Sequence, residues 1–282
     1  MAVHTPASPL SGQNAKGRFG TFAGVFTPNV LTILGLILFL RTGWVVGQAG
    51  LMGALFIVLI SNVITFLTGL SLSAISTSMT VRTGGNYYMI SRSLGLEIGG
   101  AIGIPLFLSQ AISVAFYVIG FTEALQSISY FQAFDDRLIS TAIVLLFGLI
   151  AYVGADFALR IQFLVLAALG VALISFFLGG WGGFISPTWT PSYEPTESFW
   201  TVFAVFFPAV TGITVGASMS GDLKDPGRSI PRGTILSIVV TGIIYIATVI
   251  WLALHATPSE LIGNNLIMQE IARWPIALSL IH

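Results

Sequence analysis

Residues 206–233 read FFPAVTGITVGASMSGDLKDPGRSIPRG, and how this stretch folds decides how the rest of the chain is arranged. It lies within an apolar run beginning near Phe199, yet Pro208 and Gly212 fall in the middle of that run. Proline has no backbone N–H to donate, and glycine is a poor helix former. In hydrocarbon no water satisfies the freed N–H and C=O groups. A break there is tolerated only where protein, water or a bound solute supplies partners. Thr211 and Thr214 place hydroxyls on either side of the gap. Two readings stay open on these residues alone: a proline-kinked membrane helix with no ligand, or a discontinuous helix that binds a solute near the midplane.

Composition sets the class. Apolar residues make up 55% of the chain and charged residues 8%, which no soluble domain of this length sustains. The net charge of zero gives no reason to expect a nucleic-acid partner. The chain has no cysteine, which excludes disulfides and thiolate metal sites. The opening MAVHTPASPLSGQNAKG is polar, lacks a signal-peptide core and reads as a disordered tail over residues 1–20.

A bilayer span needs about twenty apolar residues. Such segments run from about Phe22 to Gly47, Met52 to Ser78, Gly99 to Ser127, Leu138 to Val153, Leu159 to Gly179, Phe199 to Ser220 and Ile235 to Leu254. An amphipathic piece, NNLIMQEIARW, then leads into Pro275–His282, which reads as the opening of an eighth span. With the N-terminus cytoplasmic, Lys16, Arg18, Arg82, Arg92, Arg160, Lys224, Arg228 and Arg232 fall inside. Only Arg41, Arg137 and Arg273 fall outside, joined there by Glu123, Asp135, Asp136, Glu194, Glu197, Glu260 and Glu270. The basic bias predicts an N-inside, multi-pass protein. The loop WGGFISPTWTPSYEPTE at 181–197 is then external, either a lid over an outer vestibule or a surface loop with interfacial aromatic anchors.

No enzyme signature is present: G-x-x-x-x-G-K, H-E-x-x-H and G-x-S-x-G are all missing. Charges are also missing from the predicted centre of every span. Ions crossing such a protein must be held by backbone oxygens, hydroxyls or helix ends. A half-helix beginning near Gly212 points free N–H groups into the gap and suits an anion. One ending near Pro208 offers unpaired carbonyls and suits a cation. The first span carries a weaker interruption, with Thr32 and Gly35 inside a Leu/Ile run preceded by Pro28. Paired interruptions in spans one and six point to a binding site if the fold is two inverted five-helix repeats. Tyr117, inside span three, must place its hydroxyl on a neighbouring helix or on a cation. Gly84 and Gly85 allow a tight turn in VRTGGNYYMISRSLG, and Arg92 beyond it is a candidate partner for Asp222 or Asp225 at an inner gate.

Four pieces together resemble the cation–chloride cotransporter family of the amino acid–polyamine–organocation superfamily. They are LTILGLILFLRTGWVVGQAG, LTGLSLSAISTSMTVRTGGNYYMISRSLG, AISVAFYVIGFTEAL and FFPAVTGITVGASMSGDLKDPGRSIPRGT, and NNLIMQEIARW joins them. The likeness covers the chain from about Gly17 onward. It implies an all-α polytopic membrane protein with a leucine-transporter-type inverted-repeat fold, truncated after about seven spans. Residues 21–180 would be the first five-helix repeat, 181–198 the external loop and 199–282 the start of the second repeat. It further implies symport of chloride with potassium, sodium or both in the plasma membrane, with no cofactor beyond the transported ions. Potassium would use backbone oxygens at Thr32 and Ile33, the hydroxyl of Tyr117, and Pro208 and Thr211. One chloride would lie on the amides of Gly35, Leu36 and Ile37, a second on Gly212, Ile213 and Thr214.

The chain departs from the family pattern in two places. Thr32 stands where the family has Asn, and Leu34 where it has an aromatic residue. That Asn is implied to ligate mainly through its carbonyl, so Thr32 need not abolish binding. Tyr117 is the residue of potassium-carrying members; the sodium–chloride branch has His. The family's sodium site and part of its second chloride site would lie beyond His282. A homodimer or a missing C-terminal half is therefore the implied protein partner. The competing expectations are an amino-acid permease of the same superfamily and a non-transporting membrane subunit. Against the permease, the fifth span offers only Arg160 at its end, and TGITVGAS carries no acid.

Overall fold

The computed structural model describes residues 19–126, 130–153, 155–275 and 278, and for 124, 153 and 155–160 the backbone alone. Most of the tail, the side chain of Arg160 and most of the expected eighth span lie outside these residues. Twelve α-helices make up the described fold: α1 (Thr27–Ile33), α2 (Leu36–Leu40), α3 (Thr42–Ser78), α4 (Gly85–Leu94), α5 (Leu96–Gln126), α6 (Asp136–Val153), α7 (Ala155–Leu178), α8 (Phe199–Phe206), α9 (Val215–Ser218), α10 (Pro226–His255), α11 (Pro258–Gly263) and α12 (Ile267–Ile271). A π-helical turn, Phe22–Phe26, leads into α1, and a 3-10 turn, Phe207–Val210, follows α8.

Among the described residues six segments are long and apolar enough to cross a bilayer, from Phe22–Leu40 to Pro226–His255. The expected fourth span is α6, whose first turn carries Asp136 and Arg137. Helix α6 runs up to the edge of the described residues at Val153. The first two spans meet inside α3, where Gly50 adopts φ 64° and ψ 174° and turns the chain back. A side chain there would be strained at that φ and would run into the Thr190 carbonyl.

Helix α10 packs against α3 and against span one. Gly69 lies against Ile238 and Gly242 against Asn62, so α3 and α10 run antiparallel. Thr21 donates to Ser229 at 3.1 Å and Asn29 to Ser237 at 3.3 Å, so span one and α10 run parallel. Gly216 and Gly233 both face Val25, each with the site of an added Cβ only 2.6 Å from its Cγ1. Small residues of this kind let helices approach where lipid offers no competing hydrophobic force. Span one is the most buried of the six and α5 the least.

The segments expected outside gather at one end. Gln48, fully buried, donates to Glu194 Oε2 at 2.7 Å and accepts from Glu194 N at 2.9 Å. Leu51 N–H reaches Thr188 O at 2.8 Å, and Ile185 N–H reaches Leu254 O at 2.8 Å. The 181–197 loop is thus fastened to the turn between spans one and two and to the end of α10. At the other end Phe19 bridges Leu223, and Ser220 Oγ donates to Arg82 O at 2.8 Å while accepting from Gly85 N at 3.3 Å. The loops after α3 and after α9 do meet, through Ser220. Arg92 instead stands over the Tyr88 ring at 5.6 Å, and Asp225 caps α10 and pairs with Arg228. The expected pairing of Arg92 with Asp222 or Asp225 is absent among the described residues. Both arginine and tyrosine sit on α4, one turn apart, where their contact orders no other loop.

Candidate functional site

The helix of span one stops at Leu34 (φ −85°, ψ 41°) and Gly35 (φ −88°, ψ −151°), then restarts as α2. The Thr32 hydroxyl donates to Pro28 O at 2.8 Å, a back-bond of the kind that bends helices. Leu38 N–H closes the first turn of α2 on Gly35 O at 3.1 Å. The N–H groups of Gly35, Leu36 and Ile37 therefore stand ahead of that helix's own ladder.

Span six breaks more sharply. After the 3-10 turn, Thr211 is extended and Gly212 takes φ 98°. Val215 N–H closes back on Gly212 O at 3.2 Å, leaving the N–H groups of Gly212, Ile213 and Thr214 ahead of α9. Pro208 O already accepts two donors, Thr211 N–H at 3.2 Å and Thr211 Oγ1 at 2.7 Å. It is free to face a cation only when that hydroxyl turns away.

The two breaks face each other. A Cβ on Gly212 would meet the side chain of Thr32, whose Cβ lies 3.1 Å away. Across the gap, the Tyr117 ring edge lies 3.6 Å from where a Cβ on Gly35 would stand, and Gly120, one turn on, packs against Leu36. The structure thus brings Thr32, Gly35, Leu36, Tyr117 and Gly212 together. Tyr117 was expected to be buried; it is 42% exposed, on a helix that is the least buried of the six spans among the described residues. Ile37 O accepts from Arg41 N–H at 3.0 Å and Thr42 Oγ1 at 3.2 Å.

Two buried residues that the sequence reading passed over hold the breaks in place. Asn29 Oδ1 accepts from Gly216 N–H at 2.8 Å while its amide donates to Ser237, so one side chain joins α1, α9 and α10. Tyr245 on α10 donates to Ile33 O at 2.8 Å, with Ala209 O at 3.3 Å. The rule applied to Tyr117, that a tyrosine within a span must place its hydroxyl, was available for Tyr245 as well. An asparagine within the first span was a comparable signal.

Arg41 Nη2 lies 3.4 Å from Glu123 Oε2, and Asn265 Nδ2 donates to Glu123 Oε1 at 3.4 Å. The Arg41–Glu123 pair joins the ends of spans one and three. Beside it opens a cavity of 380 Å³ lined by Leu40, Glu123, Gln126 and residues 263–266.

Helical spans broken in pairs around a shared gap define a class of membrane carrier. The amino acid permease family matches residues 24–268, and the chain belongs to that family. Its fold is of the leucine-transporter type. The chain is 37% identical over 271 residues to solute carrier family 12 member 2 of Danio rerio, covering 88% of this chain and 24% of that protein. It is 41% identical over 251 residues to member 2 of Squalus acanthias, covering 81% of this chain and 21% of that one. With solute carrier family 12 member 1 of Mus musculus it shares 40% over 260 residues, or 84% of this chain and 24% of that one. These relatives agree with the resemblance to cation–chloride cotransporters carried by the four motifs. The chain spans about a quarter of the length of these curated relatives.

Proposed function

We propose that this chain contributes the paired helix breaks of a secondary active symporter of chloride with potassium, sodium or both. The observation that carries the reading is the juxtaposition of the two breaks, with Gly212 against Thr32 and the Tyr117 ring beside Gly35. Carbonyls at the ends of α1 and of the Phe207–Val210 turn suit a cation, with Thr32, Ile33, Tyr117, Pro208 and Thr211 as its ligands. The N–H groups ahead of α2 and α9 suit chloride, one ion on Gly35, Leu36 and Ile37 and another on Gly212, Ile213 and Thr214. Tyr117 favours potassium. Residues 21–180 act as the first inverted repeat and 199–282 begin the second, rocking past each other for alternating access. The protein sits in the plasma membrane with its N-terminus cytoplasmic, as the basic residues favour.

The description of the family leaves amino-acid transport as the competing reading. One experiment separates them. The complete protein in proteoliposomes takes up rubidium only when chloride is present, and amino acids do not compete. Uptake that is unchanged when gluconate replaces chloride would sink the cotransport reading.

A further inference from the structure

The Tyr245 hydroxyl sits between two carbonyls that belong to two different broken helices. Ile33 O closes α1 and lies 2.8 Å away; Ala209 O, in the turn after α8, lies 3.3 Å away. The side chain is fully buried, and its ring meets Phe206 edge-on at 5.3 Å. Phe206 is the last residue of α8, so the ring is clamped by the same segment whose carbonyl it approaches. A hydroxyl has one proton, and a carbonyl has two lone pairs. Tyr245 therefore occupies one lone pair of Ile33 O and leaves the other facing elsewhere. Pro208 O, by contrast, has both of its directions taken by Thr211.

We propose that Tyr245 is a positioning residue for the cation: its hydroxyl sets the spacing between the carbonyl end of α1 and that of the span-six turn. It acts through Ile33 and Ala209 and touches no ion itself. Ile33 O belongs to the cation set and Ala209 adjoins Pro208, so the spacing of these two chain ends decides how well the ligand oxygens replace a cation's hydration shell, whereas the N–H groups ahead of α2 and α9 follow each break. Loss of the hydroxyl should weaken cation binding and spare chloride binding. The assignment rests on the cotransport reading above.

The test is Tyr245→Phe in the complete transporter, reconstituted in proteoliposomes and assayed by chloride-dependent rubidium uptake. Loss of one buried hydrogen bond predicts a rise of about fivefold in KM for rubidium. The KM for chloride and kcat should change less than about twofold on the same scale. In detergent, the thermal shift produced by rubidium should shrink while that produced by chloride persists. Unchanged KM values overturn the proposal, and so does an equal rise in both, which marks general loosening. Failure to recover folded Tyr245→Phe assigns the hydroxyl to folding and also overturns it. Wild-type protein without chloride-dependent uptake removes the cotransport reading itself, and this assignment falls with it. The wild-type arm thus tells that failure apart from one confined to Tyr245.

Discussion

Tyr117 and Tyr245 approach the same pair of helix breaks from different helices and are held in different ways. Tyr245 rides on α10, fully buried, with its hydroxyl committed to the carbonyls of Ile33 and Ala209. Tyr117 rides on α5, 42% exposed; its ring meets Phe116 at 5.9 Å, and among the described residues its hydroxyl has no hydrogen-bond partner. The contrast extends to their helices. Helix α10 is tied to span one by Thr21–Ser229 and Asn29–Ser237, while α5 touches span one chiefly through Gly120 and the Arg41–Glu123 pair. One side of the gap is framework and the other is an oxygen still available. In a membrane, where every polar group needs a partner, an uncommitted hydroxyl beside two broken helices is the more informative of the two.

The sharpest way to break this contrast is at Gly212 on the framework side. Gly212→Ala must hold a side chain at φ 98° and push into Thr32, which costs roughly 2–4 kcal/mol together. Gly35→Ala needs no positive φ, and its added Cβ meets the Thr32 carbonyl at 3.1 Å, a milder crowding than that of Gly212 against the Thr32 side chain. Melting of the purified protein in detergent should fall steeply for the first and little for the second. Equal melting would mean that the span-six break relaxes freely.

Asn29→Ala removes two buried hydrogen bonds and leaves Gly216 N–H without its acceptor, at a cost of roughly 2–3 kcal/mol. A loss within a few tenths of a kcal/mol would remove Asn29 from the framework. On the open side, Tyr117→Phe should lower rubidium uptake by the complete protein severalfold while expression and melting stay near wild type. Equal losses of uptake and expression would make Tyr117 a framework residue too and dissolve the comparison.

The smallest effect lies just beyond α10. Glu260 accepts from Thr257 N–H at 2.8 Å and from its hydroxyl at 2.7 Å, closing a capping box on α11. The Thr257 N–H, and then its hydroxyl, hold the Glu260 carboxyl below its ordinary value of 4.5. The folded value is depressed, so the cap is fully present above the ordinary value and is lost as pH falls through the lower one. Amide protection in residues 257–263, taken relative to the intrinsic exchange rate at each pH, should fall in that acid window and nowhere near neutrality. Protection that is flat across the window would show that the box contributes nothing in solution.

Much of this site could be read from local sequence. Pro208, Gly212, Thr32 and Gly35 announce two breaks because a missing N–H or Cβ acts within one helical turn. The turn between spans one and two and the amphipathic piece before Pro275 were equally visible. Helix boundaries were less so: α5 starts at Leu96 and α10 already at Pro226, because the segments before them continue the helices where polar composition suggested loop. The inner contact was placed on Arg92 and the acids of the next loop, and the folded chain makes it with Ser220. Charge is easy to see in a sequence, but a small hydroxyl with two backbone partners is not.

By itself, the sequence determined a membrane protein with apolar spans, two of them broken, and a charge bias along the loops. Each of these follows from residues adjacent in the chain. Only the tertiary structure decided that Tyr245 meets Ile33 and Ala209, that Asn29 caps Gly216, and that Gly212 abuts Thr32. Spans that are apolar on every side carry no stripe to mark which face meets which neighbour. Lipid is as apolar as leucine, so packing of small residues and single buried hydrogen bonds make that choice, between positions far apart in sequence.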